Sequence, residues 1–553
     1  MGKLGVLIVN RLAAPFSVPG MLLGAAAFLA ALTPSLIPRA APVQGAICGL
    51  SFAVAYGLGA GGAILWNWLG LFEIPAERIR LLRRIASWAS LGLLFFGLSM
   101  AWTWQSSVHQ ALRLPPPDTA GPLVIAVVGL LVMVLLILLG RVFRLLKDLY
   151  ELPFRRLLPP RASFLAAALL AAWSFWAVGN GFLLDSALRG LDETYRRIDA
   201  LRQADEPAPS DPLKTGSSSS HIAWSGLGAE GRARILAAPS GAEIAELAGG
   251  PVREPVRVYA GLNSAGTPDE RAELALKELI RAGGFERALL VIATPTGTGW
   301  VDPAAMMPLE ILHRGDVATV SVQYSYLPSW LSLLVEPEYG HETARAVFRA
   351  VYGHWRALEP ASRPRLYLFG LSLGSLNSDL SSDAFDIVGD PYHGAFWVGP
   401  PFASRTWGRV TAARLGQSPA WLPLARNGNL FRFMTNDDHA QLRAPDWGPL
   451  RILYLQYASD PIVFFEGESW RLEPAWMKAP RGPDVPAALT WIPGVTFLQL
   501  IFDMMTATTV PPGVGHVYAA SDYLDGWVAL TDPAGWQASE IEKLRAWLGA
   551  RGI

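Results

Sequence analysis

Ser372 has the surroundings most suggestive of chemistry. It sits in Gly370-Leu371-Ser372-Leu373-Gly374, directly after the apolar run Arg365–Phe369. Small residues on both sides are what a tight strand-to-helix turn requires, because larger side chains would clash there. Such a string arises by chance often enough that its place after a β-run is what gives it weight. A serine hydroxyl attacks poorly unless a base takes its proton, and the base must be held in one tautomer by an acid. Where such a turn carries the nucleophile, chain order is serine, then acid, then histidine. Asp460 closes the run Arg451–Pro461 (RILYLQYASDP), just past an expected strand and before a turn-forming proline. Asp437, Asp438 and Asp446 are rivals, but none directly follows a recognisable strand. His516, in the glycine-rich Pro511–Tyr518 (PPGVGHVY), is the only histidine after Asp460 and so the only base that keeps the order. His109, His221, His313, His341, His354, His393 and His439 all precede the acid.

An acyl-transfer site also needs two backbone N–H groups for the oxyanion. Leu373, which follows the nucleophile, offers one. The other is expected from Thr296 or Gly297, in the loop Thr294–Trp300 (TPTGTGW) after the strand Ala288–Ala293. That loop lacks the Lys-Ser/Thr and the glycine spacing of a phosphate cradle. A serine, a carboxylate and an imidazole call for no cofactor and no metal. The lone cysteine, Cys48, excludes an internal disulfide framework and any cysteine-rich metal site. Lys plus Arg balances Asp plus Glu at 46 each, so no basic footprint suggests a nucleic-acid partner.

The elements that must position these residues are short β-rich runs alternating with helical patterns. Val256–Ala260, Ala288–Ala293, Val317–Val322, Arg365–Phe369, Gly394–Val398 and Arg451–Gln456 read as strands, and Asp269–Ala282 as a helix opened by Pro268. This alternation predicts a mostly parallel sheet with both faces covered and its chemistry at the strands' carboxyl ends. Two apolar stretches, Ser325–Val335 and Leu489–Met505, are expected to be core or a cap that touches lipid. A crossing at 489–505 would separate His516 from Ser372, and Pro493 and Asp503 are costly in lipid.

The first 190 residues are of another kind. Phe16–Leu36, Val43–Leu65, Ile85–Trp104, Leu123–Leu139 and Phe164–Leu184 each approach the roughly 20 apolar residues a span needs. The first holds Pro19 and Pro34 and follows Lys3 and Arg11, so a signal peptide cut near Ala41 is its alternative. Arg78, Arg80, Arg83 and Arg84, and Arg141, Arg144, Lys147, Arg155, Arg156 and Arg161, mark two connections as cytoplasmic. Only Arg39 and Arg113 mark the others. About five spans in this order leave everything after Leu184 outside. Trp66, Trp68, Trp102, Trp104, Trp173 and Trp176 suit interfacial belts. Asn67 and Asn180 read as interhelical or interfacial rather than as a conduit. Residues 186–200 suggest a charged amphipathic helix, and Gln203–Ser220 a linker whose run Ser217–Ser220 is solvated loop. The expected domains are thus a helical membrane domain (1–190), helix and linker (191–225) and a catalytic domain (226–553).

Several longer strings carry a resemblance. Thr294–Pro303 (TPTGTGWVDP), Gln323–Trp330 (QYSYLPSW), Leu368–Ser375 (LFGLSLGS), Trp397–Phe402 (WVGPPF), Tyr454–Val463 (YLQYASDPIV) and Gly513–Tyr518 (GVGHVY), behind Ser35–Arg39 (SLIPR), resemble the bacterial membrane-anchored alpha/beta-hydrolase 9 family over nearly the whole chain. The resemblance implies an N-terminal transmembrane helical bundle joined to a C-terminal α/β-hydrolase domain, with Ser372, Asp460 and His516 at the positions of a triad. The expected activity is hydrolysis of an ester of a lipid or other hydrophobic acyl compound at the outer face of the cytoplasmic membrane. Acyl transfer by the same residues, or a non-catalytic membrane scaffold or transport component, are the alternatives.

Overall fold

A computed structural model describes residues 13–71, 75–179, 206–327, 332, 337–426, 428–444 and 447–551. The amphipathic helix expected at 186–200, the start of the linker, Asn180, Asp446 and most of the 325–335 stretch lie outside these residues. The chain divides into two compact units. One comprises Met1–Gly190, Glu466–Met477 and Val485–Thr506; the other comprises Leu191–Phe465, Lys478–Asp484 and Ala507–Ile553.

The second unit is built on a seven-stranded sheet in the order β1-β3-β2-β4-β5-β7-β6, parallel throughout. Its strands are β1 (Val256–Ala260), β2 (Leu289–Thr294), β3 (Val317–Val322), β4 (Arg365–Leu371), β5 (Gly394–Val398), β6 (Phe431–Met434) and β7 (Arg451–Leu455). The six expected strands are present. The seventh, β6, is four residues long on the sheet's edge, too short to display a period. Strands β1, β2, β3 and β5 are buried at every position, so neither face of the sheet is wet, as parallel strands require.

Local sequence sets where the covering helices begin. Thr267 and Glu270 form a capping box ahead of Pro268–Arg281, with Pro268 in the first turn, where its missing N–H costs nothing. Asp302 caps Pro303–Leu312 through the N–H of Ala304, at 2.8 Å, and accepts the Tyr523 hydroxyl at 2.9 Å. Burial pushes its carboxyl up to about 6. Phe369, Phe396, Tyr523 and Trp527 interlock their rings between the sheet and the helix Ala520–Thr531.

In the first unit, among the described residues, four helices are long and apolar enough to cross a membrane: Ala41–Trp68, Glu77–Ala111, Gly121–Phe154 and Pro160–Gly179. The first of the five expected segments forms a shorter helix, Val18–Ala31, of 14 residues. At 1.5 Å per residue that is about 21 Å, short of the roughly 30 Å of hydrocarbon; Pro34 and Pro38 follow closely. Close packing comes from small residues. A Cβ on Gly49 would lie 2.5 Å from the Gly129 carbonyl oxygen, and one on Gly45 would lie 2.9 Å from that of Ile125. Glycines four apart thus let Ala41–Trp68 and Gly121–Phe154 touch backbone to backbone. Phe95, Leu131, Leu135 and Leu169 are exposed, the surface a lipid-facing helix offers.

The helix Val495–Thr506 belongs to this same unit, and Val495 is buried in its core. Asp503 accepts from Arg39 Nε at 2.7 Å, from Ser35 Oγ at 3.3 Å and from the Leu36 N–H at 3.3 Å, with both charged side chains fully buried. Arg39 also donates to Gln44 and to the Gln499 carbonyl, and Gln499 donates to the carbonyls of Ala31 and Thr33. The apolar stretch around 489–505 therefore encloses a carboxylate whose charge is met by an arginine of the SLIPR string.

Candidate active site

Ser372 follows β4 at φ +56°, ψ −125°, and opens the helix Leu373–Ser381. A side chain in that region is strained, and such strain persists only where its surroundings impose it. The neighbours explain why both flanking residues are glycine. A Cβ at Gly370 would stand 2.2 Å from the Gly374 carbonyl oxygen, and one at Gly374 would stand 2.3 Å from that of Thr294. The turn is thus wedged against the end of β2. The Ser372 N–H donates to the Val398 carbonyl at 2.9 Å, which ties it to the end of β5.

Asp460 lies five residues beyond β7 and is fully buried. Its Oδ1 accepts from the backbone N–H of Ile462 at 2.9 Å and Val463 at 3.4 Å. Its Oδ2 accepts from His516 Nδ1 and from the Tyr518 hydroxyl, each at 2.6 Å. Donation from Nδ1 puts the neutral imidazole's lone pair on Nε2, the form a general base requires. Nε2 is buried and makes no hydrogen bond among the described residues.

Backbone contacts hold the histidine loop. The His516 N–H donates to the Ala507 carbonyl, and the Gly513 N–H to that of Val517. Gly513 at φ +89° and Gly515 at φ +57° make the turn that other residues would resist. The Gly515 N–H donates to Ser459 Oγ at 3.1 Å, and Ser459 donates in turn to Asp484 Oδ2 at 2.6 Å. Asp484 is buried, which pushes its carboxyl above the ordinary range. Tyr518, Ser459 and Asp484 are supports that sequence reading missed. Tyr518 stands two residues from His516 and carried a recoverable signal; Asp484, within Arg481–Pro486, carried none.

Of the expected residues, Asp460 and His516 are brought into direct contact. Ser372 and His516 each contact one of two adjacent residues: Ser372 bonds Val398, and a Cβ on Gly399 would lie 2.7 Å from His516 Cε1. Leu373 is the first residue of its helix, so its N–H has no intrahelical acceptor. The Thr296 N–H donates to the Trp300 carbonyl at 2.9 Å and is used within its own turn. That loop is pinned by the Tyr259 hydroxyl on the Gly299 carbonyl and by Gln323 Nε2 on that of Thr298.

Several of the rivals are engaged elsewhere. Asp438 accepts the Ala440 N–H, His439 pairs with Asp525 at 2.9 Å, and His393 accepts the Leu366 N–H at 3.1 Å near the opposite end of β4. His313 contacts Thr531, and His341 the Leu380 carbonyl. Among the described residues, no group of three His, Cys, Asp or Glu could hold a metal ion.

Comparison with known proteins agrees with this architecture. A family model described as "Alpha/beta-hydrolase family" matches residues 256–544, and one described as "Alpha/beta-hydrolase family N-terminus" matches residues 32–239. Searches of curated proteins and of solved structures find no match. The parallel sheet and two family matches that together span most of the chain lead to one assignment: this protein belongs to the alpha/beta-hydrolase family, with the family's N-terminal domain ahead of its hydrolase domain.

Proposed function

We propose that this protein is a membrane-bound serine hydrolase that cleaves an ester of a lipid or other hydrophobic acyl compound. The observation that carries the proposal is that Ser372 bonds Val398 while His516, held on Asp460, packs against the next residue, Gly399. Ser372 Oγ attacks the acyl carbonyl while His516 Nε2 takes its proton, and Asp460 stabilises the imidazolium that forms. The Leu373 N–H, with a second donor from the Thr296–Gly297 turn after rearrangement of its present bond, receives the oxyanion. His516 then returns the proton to the leaving alcohol, and water hydrolyses the acyl-enzyme by the same route.

The apolar helices support a hydrophobic substrate and a location at the outer face of the cytoplasmic membrane. Arg78, Arg80, Arg83 and Arg84 begin one long helix, and Arg141, Arg144 and Lys147 end another, which supports a cytoplasmic side for both ends. Two candidate crossings separate one basic end from the other and one more follows, a count that supports an external hydrolase unit whether or not Val18–Ala31 crosses.

A fluorophosphonate probe on the solubilised full chain tests the chemistry. Labelling of the wild type, and its loss in Ser372→Ala with an unchanged melting temperature, is expected; equal labelling of both would refute the assignment of Ser372. In a Cys48→Ala background, Ser218→Cys should react with an impermeant maleimide in intact cells and Glu77→Cys only after permeabilisation. The reverse pattern would invert the topology.

A further inference from the structure

We propose that Tyr518 is a positioning residue of the catalytic dyad: its hydroxyl shares the charge of Asp460 Oδ2 and thereby sets the basicity of His516, a role that rests on the serine-hydrolase reading. Four donors surround the Asp460 carboxylate, two backbone N–H groups on Oδ1 and the imidazole with the phenol on Oδ2. The same oxygen therefore serves His516 and Tyr518 at equal distance, and whatever charge the phenol draws is withdrawn from the imidazole.

A carboxylate stabilised by hydrogen bonds pulls less strongly on a neighbouring proton. A dyad with His516 alone on Oδ2 would make a more basic imidazole, one protonated and silent over more of the neutral range. With Tyr518 present, that oxygen's charge is shared and its pull on the Nδ1 proton is weaker. The phenol is suited to the task because it does not ionise: burial and the adjacent Asp460 carboxylate push it well above its ordinary range, so it remains a donor.

Among the described residues, His516 is the only ion-pair partner of Asp460. Tyr457, its ring centroid 4.4 Å from that of Tyr518, directs its own hydroxyl to Asp522. Tyr523, at 6.5 Å, directs its hydroxyl to Asp302. Asp484 faces the loop through Ser459. Among the described residues, Tyr518 is thus the one phenol that bonds the carboxylate carrying the histidine.

Two measurements on the solubilised full chain decide the matter. Histidine labelled with ¹³C at Cε1, assigned by comparison with His516→Gln, gives the titration midpoint of His516 by NMR without any substrate. The pH dependence of the fluorophosphonate labelling rate gives the same midpoint through chemistry at Ser372. Tyr518→Phe is expected to raise the midpoint by about half to one pH unit in both. Tyr457→Phe, which removes a neighbouring hydroxyl from a different carboxylate, should leave it in place.

Should Tyr518→Phe fail to fold, site-specific 3,5-difluorotyrosine at position 518, a stronger donor of nearly the same shape, is expected to lower the midpoint. A midpoint unmoved by the substitution tested, or moved equally by Tyr457→Phe, overturns the proposal. If the NMR midpoint moves while neither protein is labelled at Ser372, the tuning of His516 stands and the hydrolase reading falls. If labelling is intact while the midpoint stays put, the reverse holds.

Discussion

His516 Nδ1 donates to Asp460 Oδ2 at 2.6 Å, joining residues 56 apart in sequence, and Asp460 is fully buried. The carboxylate fixes which ring nitrogen carries the proton. Asp460→Asn removes that control and would let the ring present the wrong nitrogen to Ser372. Fluorophosphonate labelling is expected to slow by roughly three to four orders of magnitude. A labelling rate within tenfold of wild type would mean that another group orients the histidine.

Gly399 adopts φ +51°, and a Cβ there would lie 2.7 Å from His516 Cε1 and 2.9 Å from Tyr518 Cε2. Gly399→Ala should therefore displace the imidazole. Because a shift of about 1 Å in a catalytic group can cost 10²-fold, labelling should fall by about that factor. Equal labelling rates for Gly399→Ala and wild type would show that the loop yields without harm.

Arg39 and Asp503 are both fully buried, so removing one partner leaves a charge stranded in an apolar interior. Arg39→Met alone is expected to destabilise by about 3–5 kcal/mol, whereas Arg39→Met with Asp503→Leu should recover much of that loss. Thermal unfolding in detergent measures both. Equal melting temperatures for the single and double variants would show that the pair carries no coupled energy.

Asp302 releases its proton at about 6 in the folded chain, against 3.8 for the ordinary group. The folded form holds the proton more tightly, so the stability it contributes is complete below about pH 4 and is lost as pH rises through 6. Asp302→Asn keeps the cap acceptor and cannot ionise. Its melting temperature relative to wild type should climb between pH 4 and 6 and then level off. The shift of about two units corresponds to about 3 kcal/mol. A difference that does not vary with pH would mean that Asp302 binds its proton no more tightly in the fold than in the unfolded chain.

Ser372 was legible because its flanking glycines announce a tight turn and a β-rich run precedes them; the contacts at Gly370 and Gly374 are the physical cause of that spelling. Asp460 and His516 were legible from chain order and from the strand ahead of the acid. Strand β6 was not, since four residues carry no period. Asp484 bears on the site only because folding brings it to Ser459. The commitment of the Thr296 N–H to Trp300 is a matter of turn geometry that composition does not encode. Asp503 read as a cost in an apolar stretch because its partner lies 464 residues away.

That same separation has a bearing on biogenesis. At about 5–20 residues per second, a ribosome delivers Asp503 roughly half a minute to a minute and a half after Arg39. Throughout that interval the guanidinium lacks its partner in the finished fold, so the helices synthesised first must wait in an unfinished state. The core of the N-terminal half is completed by a segment whose Asp503 stands 464 residues after Arg39, and a nascent chain that stalls before residue 503 leaves that core with an open seam for quality control to find.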